Sequence, residues 1–145
     1  MHINIPISVP QSIQQVWAGF NESLFNQLSP PFPPSKLLRF DGSMPNDEVH
    51  IELNFIFFKQ IWISHITEYK ATEQEIYFID EGKKLPFFLR YWKHKHRLVS
   101  NTSGGCTIIE EIEFKTPNIL TDLLFYPAMY LQFWYRKPIY QRIFK

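Results

Sequence analysis

Three residues whose side chains could do chemistry together are His94, His96 and Glu110. His94 and His96 lie in residues 91–99, where apolar and charged side chains alternate in the manner of a β-strand. Successive side chains of a strand point to opposite faces, so both imidazoles are expected on the same face as Trp92. Imidazole and carboxylate groups on one inward face can exchange protons, hold a metal ion or orient a polar group of a ligand.

A second alternating run brings Glu110 to the same face. Residues 100–105 are Ser, Asn, Thr and Gly, which predicts a polar turn, and residues 106–117 alternate again. The stretch 89–117 is therefore expected to be an antiparallel hairpin, with Ile112 and Phe114 inward beside Glu110. The opposite faces are basic on the first arm and acidic on the second, which is typical of a pair of faces in solvent.

Two registers of this hairpin are compatible with the pattern. If Leu98 pairs with Ile108, Glu110 lies opposite His96, and if the register slips by two residues, it lies opposite His94. In both cases a carboxylate is expected next to an imidazole on an otherwise apolar face. Such groups are costly to bury unless they are paired.

Three interpretations of this inward group remain open. It could be a structural pair within the sheet, a polar anchor at the base of an apolar cavity, or an acid/base pair or metal site. A metal site would need a third ligand, and short metal signatures have many false positives. We therefore assign no catalytic residue and no metal ion, and keep His94, His96 and Glu110 as weak catalytic candidates.

The overall composition limits the class of protein. A chain of 145 residues with a net charge of +1 fits one domain, residues 1–145, without the strong charge expected of a nucleic-acid partner. The single cysteine, Cys106, excludes an internal disulfide and suits a reducing cytoplasm. Neither a signal-peptide pattern nor an 18-residue apolar stretch is present, so we expect a cytoplasmic protein with no integral membrane segment.

Aromatic residues make up 17% of the chain, and 14 of them are phenylalanines. Rigid aromatic side chains line many apolar ligand cavities, although the same composition suits an aromatic-rich core. No glycine-rich phosphate loop and no Cys/His zinc set occurs, so no cofactor is predicted.

The periodicities predict an α+β order of elements. One strand (2–9) is followed by two short helices or one kinked helix, a proline-rich connector (29–34) and about six strands. The second of these six strands is expected to include Phe55 and Phe57, followed by a tight turn at Lys59. A terminal helix follows Pro117, with kinks at Pro127 and Pro138. Because it has two apolar stripes, it is expected to be enclosed on most sides. The principal stripe comprises Leu120, Leu123, Leu124, Pro127, Leu131 and Trp134, and the second comprises Tyr126, Tyr130 and Phe133.

The order and spacing of several short motifs resemble the START-like, or SRPBCC, superfamily and, within it, bacterial ligand-binding SRPBCC-domain proteins. The motifs span nearly the whole chain. They are Trp17-x-x-Phe20, Leu28-Ser-Pro-Pro-Phe32, Trp62-x-x-x-Ile66, Phe78-x-Asp80, Trp92-x-His94-x-His96, Gly104-Gly105-Cys-x-Ile-x-Glu110, Phe114-x-x-Pro117 and Phe133-x-Tyr135-Arg136.

This resemblance implies a helix-grip fold, in which a curved antiparallel sheet of about seven strands surrounds a long C-terminal helix and a hydrophobic cavity. Members of the superfamily bind lipids, sterols, polyketides or hormone-like molecules, and a subset are cyclases or hydrolases. This chain departs from the pattern at Cys106 and Glu110, where Thr and Asp are expected. The longer Glu110 side chain would reach deeper and could reduce the cavity.

The expected function is binding of a small hydrophobic molecule, such as a lipid or polyketide, between the sheet and the C-terminal helix. The alternative is a cyclase- or dehydrase-type enzyme that uses a His–Glu acid/base pair. Self-association as a homodimer through the aromatic residues near 133–136 is a further hypothesis. The candidate ligand contacts are Phe55, Phe57, Trp62, Phe78, Trp92, His94, His96, Glu110, Ile112, Phe114, Leu124, Leu131 and Trp134.

Overall fold

One antiparallel sheet of seven strands forms the frame of the protein in the computed structural model, which describes residues 1–145. The strands are β1 (His2–Val9), β2 (Ser35–Phe40), β3 (Glu48–Asn54), β4 (Lys59–Ala71), β5 (Glu75–Lys84), β6 (Tyr91–Ser100) and β7 (Cys106–Lys115). The helices are α1 (Ile13–Ala18), α2 (Glu22–Gln27), α3 (Ile119–Trp134) and α4 (Arg136–Ile143).

The strand order across the sheet is β1-β7-β6-β5-β4-β3-β2. Every neighbouring pair except β1 and β7 is consecutive in the chain, and β1 joins the far edge by pairing with β7. The two short helices follow β1, and the long helical segment closes over the curved sheet at the end of the chain. The helix-grip fold predicted from the sequence is confirmed.

Polar side chains that cap the first turn explain where the helices begin. The first backbone N–H groups of a helix have no partner within it, and a short polar side chain before the first turn can accept from them. Ser12 accepts from the N–H of Gln15, Asn21 from that of Leu24, and Asn118 from that of Thr121. The sequence between β1 and the connector therefore forms two separate helices, the first of the two predicted arrangements.

Alternation along β1 places its apolar residues in the main core. Ile3, Ile5, Ile7 and Val9 are buried, whereas the residues between them are exposed. This face packs beneath α4, where Tyr140 is fully buried. The core thus lies at the β1–β7 side of the sheet, and it fixes α4 against the strands that carry the candidate residues.

The hairpin of β6 and β7 adopts the first of the two registers considered above. Leu98 pairs with Ile108, and His96 pairs with Glu110. Gly104 has a φ of 84° in the connecting turn, a conformation that glycine adopts without steric cost. A Cβ atom at Gly105 would lie 2.5 Å from the carbonyl oxygen of Val9, so a larger residue there would push β1 away from the turn.

The expected extension of β3 to Phe57 is wrong. The strand ends at Asn54, whose side chain accepts from the N–H of Ile56, and Phe55 N–H donates to the carbonyl of Phe58 at 2.9 Å. Ile56 has a φ of 77°, so the chain reverses here and Lys59 already belongs to β4. The alternating phenylalanines therefore form a turn, and Phe57 is 94% exposed.

The predicted inward stripe of the terminal helix is also wrong. Leu120, Leu123, Leu124, Leu131 and Trp134 are exposed, and the buried residues of α3 are Asp122, Met129 and Phe133. Asp122 accepts from the N–H and hydroxyl of Thr116, which holds the polar side chain inward and turns the leucines outward. Pro127 lies within α3, and the break between α3 and α4 falls at Tyr135, ahead of Pro138.

Neither α3 nor any other helix is both long enough and apolar enough to span a bilayer.

Candidate functional site

A cavity of about 170 Å³ lies between the curved sheet, α2 and the two C-terminal helices. Most of its lining is apolar or aromatic, and its ionisable side chains come from β5, β6 and α4. The apolar lining side chains include Leu24, Phe25, Val49, Ile51, Leu53, Trp62, Ile66, Phe78, Phe88, Trp92, Met129 and Phe133. The polar side includes Ser64, Asp80, His94, His96, Gln132, Arg136 and Tyr140.

Two adjacent imidazoles occupy the centre of the polar side. The rings of His94 and His96 have centroids 3.6 Å apart and are tilted by 36°, and a carboxylate lies beside both rings on each of two sides. Glu110 Oε2 lies 2.5 Å from His94 Nε2 and 3.7 Å from His96 Nδ1. Asp80 Oδ2 lies 2.8 Å from His96 Nε2 and 3.6 Å from His94 Nδ1. Each carboxylate therefore hydrogen-bonds one imidazole and approaches the other.

The hydrogen bonds run diagonally across the strands. Glu110 is opposite His96 in the β6–β7 register, yet it hydrogen-bonds His94. Asp80 is opposite His94 in the β5–β6 register, yet it hydrogen-bonds His96. Diagonal neighbours on one face of a sheet lie within reach of long side chains. The backbone register alone therefore does not identify the bonded pairs.

Helix α4 completes the surroundings of Glu110, which is only 1% exposed. The Oε1 atom of Glu110 accepts from the Tyr140 hydroxyl at 2.8 Å and from Arg136 Nη1 at 3.2 Å. Arg136 and Tyr140 are four residues apart, so they share one face of the helix. We refer to Asp80, His94, His96, Glu110, Arg136 and Tyr140 as the polar cluster.

The local environment fixes the charge of several of these groups. Burial alone would raise the pKa of the Glu110 carboxyl, but Arg136 and His94 hold it well below its ordinary value. Burial would likewise raise the pKa of Asp80, but the hydrogen bond from His96 and the nearby imidazoles keep it low. Burial lowers the pKa of His94, and His96 adds to the effect, which favours the neutral ring.

The polar cluster has an excess of negative charge. Burial and the charge of Glu110 raise the pKa of Tyr140 well above its ordinary value, so its hydroxyl is neutral. Burial would lower the pKa of Arg136, but Glu110 raises it, so the guanidinium keeps its charge. Two carboxylates and one guanidinium give a net charge of −1 when both imidazoles are neutral. A cation therefore suits the side of the polar cluster where the Asp80 carboxylate approaches both imidazoles.

Five of the residues proposed from the sequence line the cavity, namely Trp62, Phe78, Trp92, His94 and His96. Glu110 lies outside the lining and contacts it through His94, Arg136 and Tyr140. Ile112 and Phe114 are buried in the core, outside the lining. The remaining candidates are not part of the lining either: Phe55 and Phe57 lie in the turn after β3, and Leu124, Leu131 and Trp134 lie on the outer side of α3.

The sequence analysis missed Asp80, Arg136 and Tyr140 as site residues. Asp80 alternates with Phe78 along β5, but its role depends on the pairing of β5 with β6, which one strand's pattern does not reveal. The spacing of Arg136 and Tyr140 was a usable signal, because an arginine and a tyrosine four residues apart near a buried carboxylate can both reach it.

Cys106 has no part in this site. Its side chain is fully buried, and burial raises the pKa of its thiol to about 11. A thiol with such a pKa is not a nucleophile at neutral pH. Cys106 therefore acts as a small side chain of the hydrophobic core.

Solved structures from several organisms share this fold. A protein of uncharacterised function from Bacillus thuringiensis is 18% identical, with a TM-score of 0.69 over 99% of this chain and 98% of its own. Norcoclaurine synthase from Thalictrum flavum, solved as a point mutant with a transition-state analogue, is 11% identical, with a TM-score of 0.68 over 99% and 92% of the two chains. The ZhuI aromatase/cyclase from a Streptomyces species is 13% identical, with a TM-score of 0.59 over 81% and 69%.

Sequence comparison is less informative. No family model matches the chain. Serpin A11 from Rattus norvegicus is 29% identical over 86 residues, which are 57% of this chain, and Serpin A11 from Mus musculus is 28% identical over a stretch of the same length. This chain spans about one fifth of the length of these curated relatives. The structural similarities establish the helix-grip fold that the motifs in the sequence predicted.

Proposed function

We propose that this helix-grip protein binds one small, largely apolar molecule in the cavity between its sheet and its C-terminal helices. The observation that carries the proposal is an aromatic and aliphatic cavity with one wall of ionisable, largely buried groups that hydrogen bonds connect. Apolar burial would supply most of the affinity, at about 25 cal/mol per Å², and the polar wall would orient the molecule. We place this binding protein in the cytoplasm.

The volume of the cavity favours a compact ligand. A cavity of roughly 150 Å³ accommodates benzene, and pockets for drug-sized ligands usually measure about 300–1,000 Å³. At about 170 Å³, this cavity suits one substituted ring or a short chain better than a full-length lipid. A compact polyketide-like molecule therefore fits this cavity better than a fatty acid does.

Unpaired donors in the lining indicate the polarity of that ligand. Trp62 and Arg136 both line the cavity, and the N–H groups at Trp62 Nε1 and Arg136 Nε are buried without a hydrogen-bond partner. A buried donor without a partner costs about 1–3 kcal/mol, which a suitable acceptor restores. We therefore expect the ligand to carry acceptor oxygens, such as carbonyl or phenolic oxygens, on an apolar frame.

Filling the cavity should abolish binding without unfolding the protein. Ser64 lines the cavity from β4 and is buried, so Ser64→Leu would place an isobutyl group in the space proposed for the ligand. We expect an affinity at least about tenfold lower than wild type for 2-naphthol, measured by quenching of tryptophan fluorescence, since Trp62 and Trp92 line the same space.

Thr67→Leu is the matched control, because Thr67 lies on the same strand but is exposed. This variant should bind 2-naphthol as wild type does, and a fluorescent long-chain fatty acid should bind wild type more weakly than 2-naphthol. Native mass spectrometry of the purified protein would reveal a co-purified ligand. If neither probe binds and no small molecule co-purifies, the proposed function is wrong.

An enzyme of the cyclase or dehydrase type is the second candidate. The observation in its favour is that His96 lines the cavity and Asp80 hydrogen-bonds its Nε2 atom, so a carboxylate orients an imidazole beside the space for a substrate. With a 1,3-diketone as probe, His96→Ala would weaken uptake if the protein only binds. An enzyme would instead lose turnover of the diketone in this variant and retain most of its binding.

A further inference from the structure

We propose that Asp80, His94 and His96 together bind one divalent transition-metal ion, with Zn²⁺ as the simplest case, on the polar wall of the cavity. This site goes beyond the binding of an apolar molecule, and either can exist without the other.

The separation of the three ligand atoms fits a metal ion. Tetrahedral zinc with bonds of about 2.0–2.1 Å places its ligand atoms roughly 3.3 Å apart. Asp80 Oδ2 lies 2.8 Å from His96 Nε2 and 3.6 Å from His94 Nδ1, values on either side of this distance. One ligand atom from each of the three residues lies within 4.8 Å of the others. Small side-chain rotations would therefore be enough to coordinate an ion.

The groups behind the ligands bind other atoms of these side chains, and a metal ion would replace the hydrogen bond between His96 Nε2 and Asp80 Oδ2. Glu110 holds His94 at Nε2, which leaves Nδ1 for the metal, and Arg136 and Tyr140 in turn hold Glu110. Trp92 Nε1 donates to Asp80 Oδ1 at 3.0 Å, which leaves Oδ2 for the metal. Carboxylates and other groups that fix the far side of a ligand are a regular feature of protein metal sites.

Charge and access support the same assignment. The polar cluster has a net charge of −1 with neutral imidazoles, and a divalent ion would change it to +1. Two imidazoles and one carboxylate are a donor set that suits zinc and related ions. All three ligands line the cavity, so a further coordination position would face the bound molecule. An acceptor oxygen on that molecule could occupy it.

Cobalt provides a direct test, because Co²⁺ in a tetrahedral protein site gives visible absorption bands. Tag-free protein, dialysed against chelator and titrated with Co²⁺ and then with Zn²⁺, should bind one ion per chain, and Zn²⁺ should displace the cobalt signal. Asp80→Asn and His96→Gln should each weaken Zn²⁺ binding by more than about 100-fold in calorimetry. Circular dichroism would confirm that each variant is folded.

His65→Gln and His2→Gln are the controls, because both histidines lie outside the polar cluster and should leave stoichiometry and affinity unchanged. The proposal is wrong if wild type takes up no stoichiometric metal, or if folded Asp80→Asn and His96→Gln retain it. The 2-naphthol assay on metal-free protein reports on the apolar ligand separately, so failure of one proposal does not imply failure of the other.

The outer side of α3 carries a second, independent feature. The only charged residue of this helix, Asp122, is buried, so the exposed side of α3 is free of charged side chains. An exposed helical face without charged residues is unusual where that face contacts only solvent. The exposed large apolar residues of α3 include Leu120, Leu123, Leu124, Leu131 and Trp134.

This apolar face continues beyond the helix. Phe125 of α3 stacks on Phe88, with ring centroids 5.4 Å apart, and the rings of Phe88 and Phe87 have the same separation. The ring centroids of Phe87 and Phe58 are 5.6 Å apart. The face therefore reaches the turn after β3, where Phe57 is almost fully exposed. We call this continuous area, from α3 through residues 87–88 to the turn 55–58, the outer apolar surface.

The charged residues beside these segments are mainly basic. Exposed lysines or arginines flank the loop 85–89 and α3 on both sides, and a lysine follows the turn 55–58. They are Lys59, Lys84, Arg90, Lys115 and Lys137. We infer that the outer apolar surface docks on an anionic lipid bilayer, with apolar side chains inserted at the interface and the basic residues near lipid phosphates. In a homodimer formed through this surface, the basic residues of one copy would face those of the other and repel them.

Vesicle co-sedimentation tests this surface. Wild type should sediment with phosphatidylcholine–phosphatidylserine vesicles and less with phosphatidylcholine alone, whereas Phe57→Glu and Leu124→Glu should each lower partitioning more than about tenfold. Leu38→Glu, an exposed apolar position on the edge strand β2, should behave as wild type. The inference is wrong if wild type stays in the supernatant, or if light scattering shows a dimer that Leu124→Glu dissociates.

Discussion

Replacing Glu110 with alanine is expected to destabilise the protein by about 3–5 kcal/mol, because it leaves a buried guanidinium without its counter-charge. The carboxylate accepts hydrogen bonds from Tyr140 and Arg136 and pairs with His94. Small domains are stable by only about 5–15 kcal/mol, so the variant would lose a large share of its stability. Urea denaturation followed by circular dichroism measures the change.

Glu111→Ala is the matched control for this prediction. Glu111 is the next residue on the same strand, but it faces outward, and its ion pair with Arg97 at 3.3 Å is partly exposed. Exposed pairs of this kind contribute about 0–1 kcal/mol. A similar loss of unfolding free energy in both variants would contradict the stabilising role assigned to the buried hydrogen bonds and ion pair of Glu110.

The parts of the fold that the sequence predicted rest on short-range patterns. Period-two alternation identified the arms of the hairpin and their inward faces, because every residue between Trp92 and Leu98 obeys it. Opposite charges then identified the outer faces as the solvent side, and two registers remained compatible with the pattern. The position of Glu110 beside the two histidines follows from these facts alone.

The remainder of the polar cluster depends on contacts that local patterns do not encode. Asp80 reaches His96 only because β5 pairs with β6 in one register, and Arg136 reaches Glu110 only because the chain breaks at Tyr135 and α4 lies against the sheet. Both contacts join residues at least 16 positions apart in the sequence. The sequence therefore predicted half of the cluster.

The orientation of α3 was predicted wrongly for a physical reason. The predicted cavity contacts Leu124, Leu131 and Trp134 came from the leucine-rich stripe, since burial of apolar area is the main favourable term in folding. The structure instead buries a stripe with Met129 and Phe133 and satisfies Asp122 with Thr116. A helix apolar on most sides offers two possible inner faces, and hydrophobicity alone does not choose between them.

Two adjacent substitutions test which side of α3 faces the sheet. Phe133 is 5% exposed and contacts Trp92, His94 and the guanidinium of Arg136. Trp134, the next residue, is 51% exposed and belongs to the stripe that the sequence analysis placed inside. Phe133→Ala is expected to lower the free energy of unfolding by about 3–5 kcal/mol, because it removes a buried ring and enlarges the cavity beside the histidines.

Trp134→Ala should change the free energy of unfolding by less than about 1 kcal/mol, since its ring is largely in solvent and no partner loses a hydrogen bond. Both values come from urea denaturation under identical conditions. Phe133→Ala should therefore be the more destabilising of the two changes. If the leucine-rich stripe faced the sheet, Trp134→Ala would be the more destabilising one, because the larger tryptophan ring would be buried. If Trp134→Ala is the more destabilising change, α3 is rotated about its axis relative to the structure, and Phe133 no longer closes the cavity over the polar cluster.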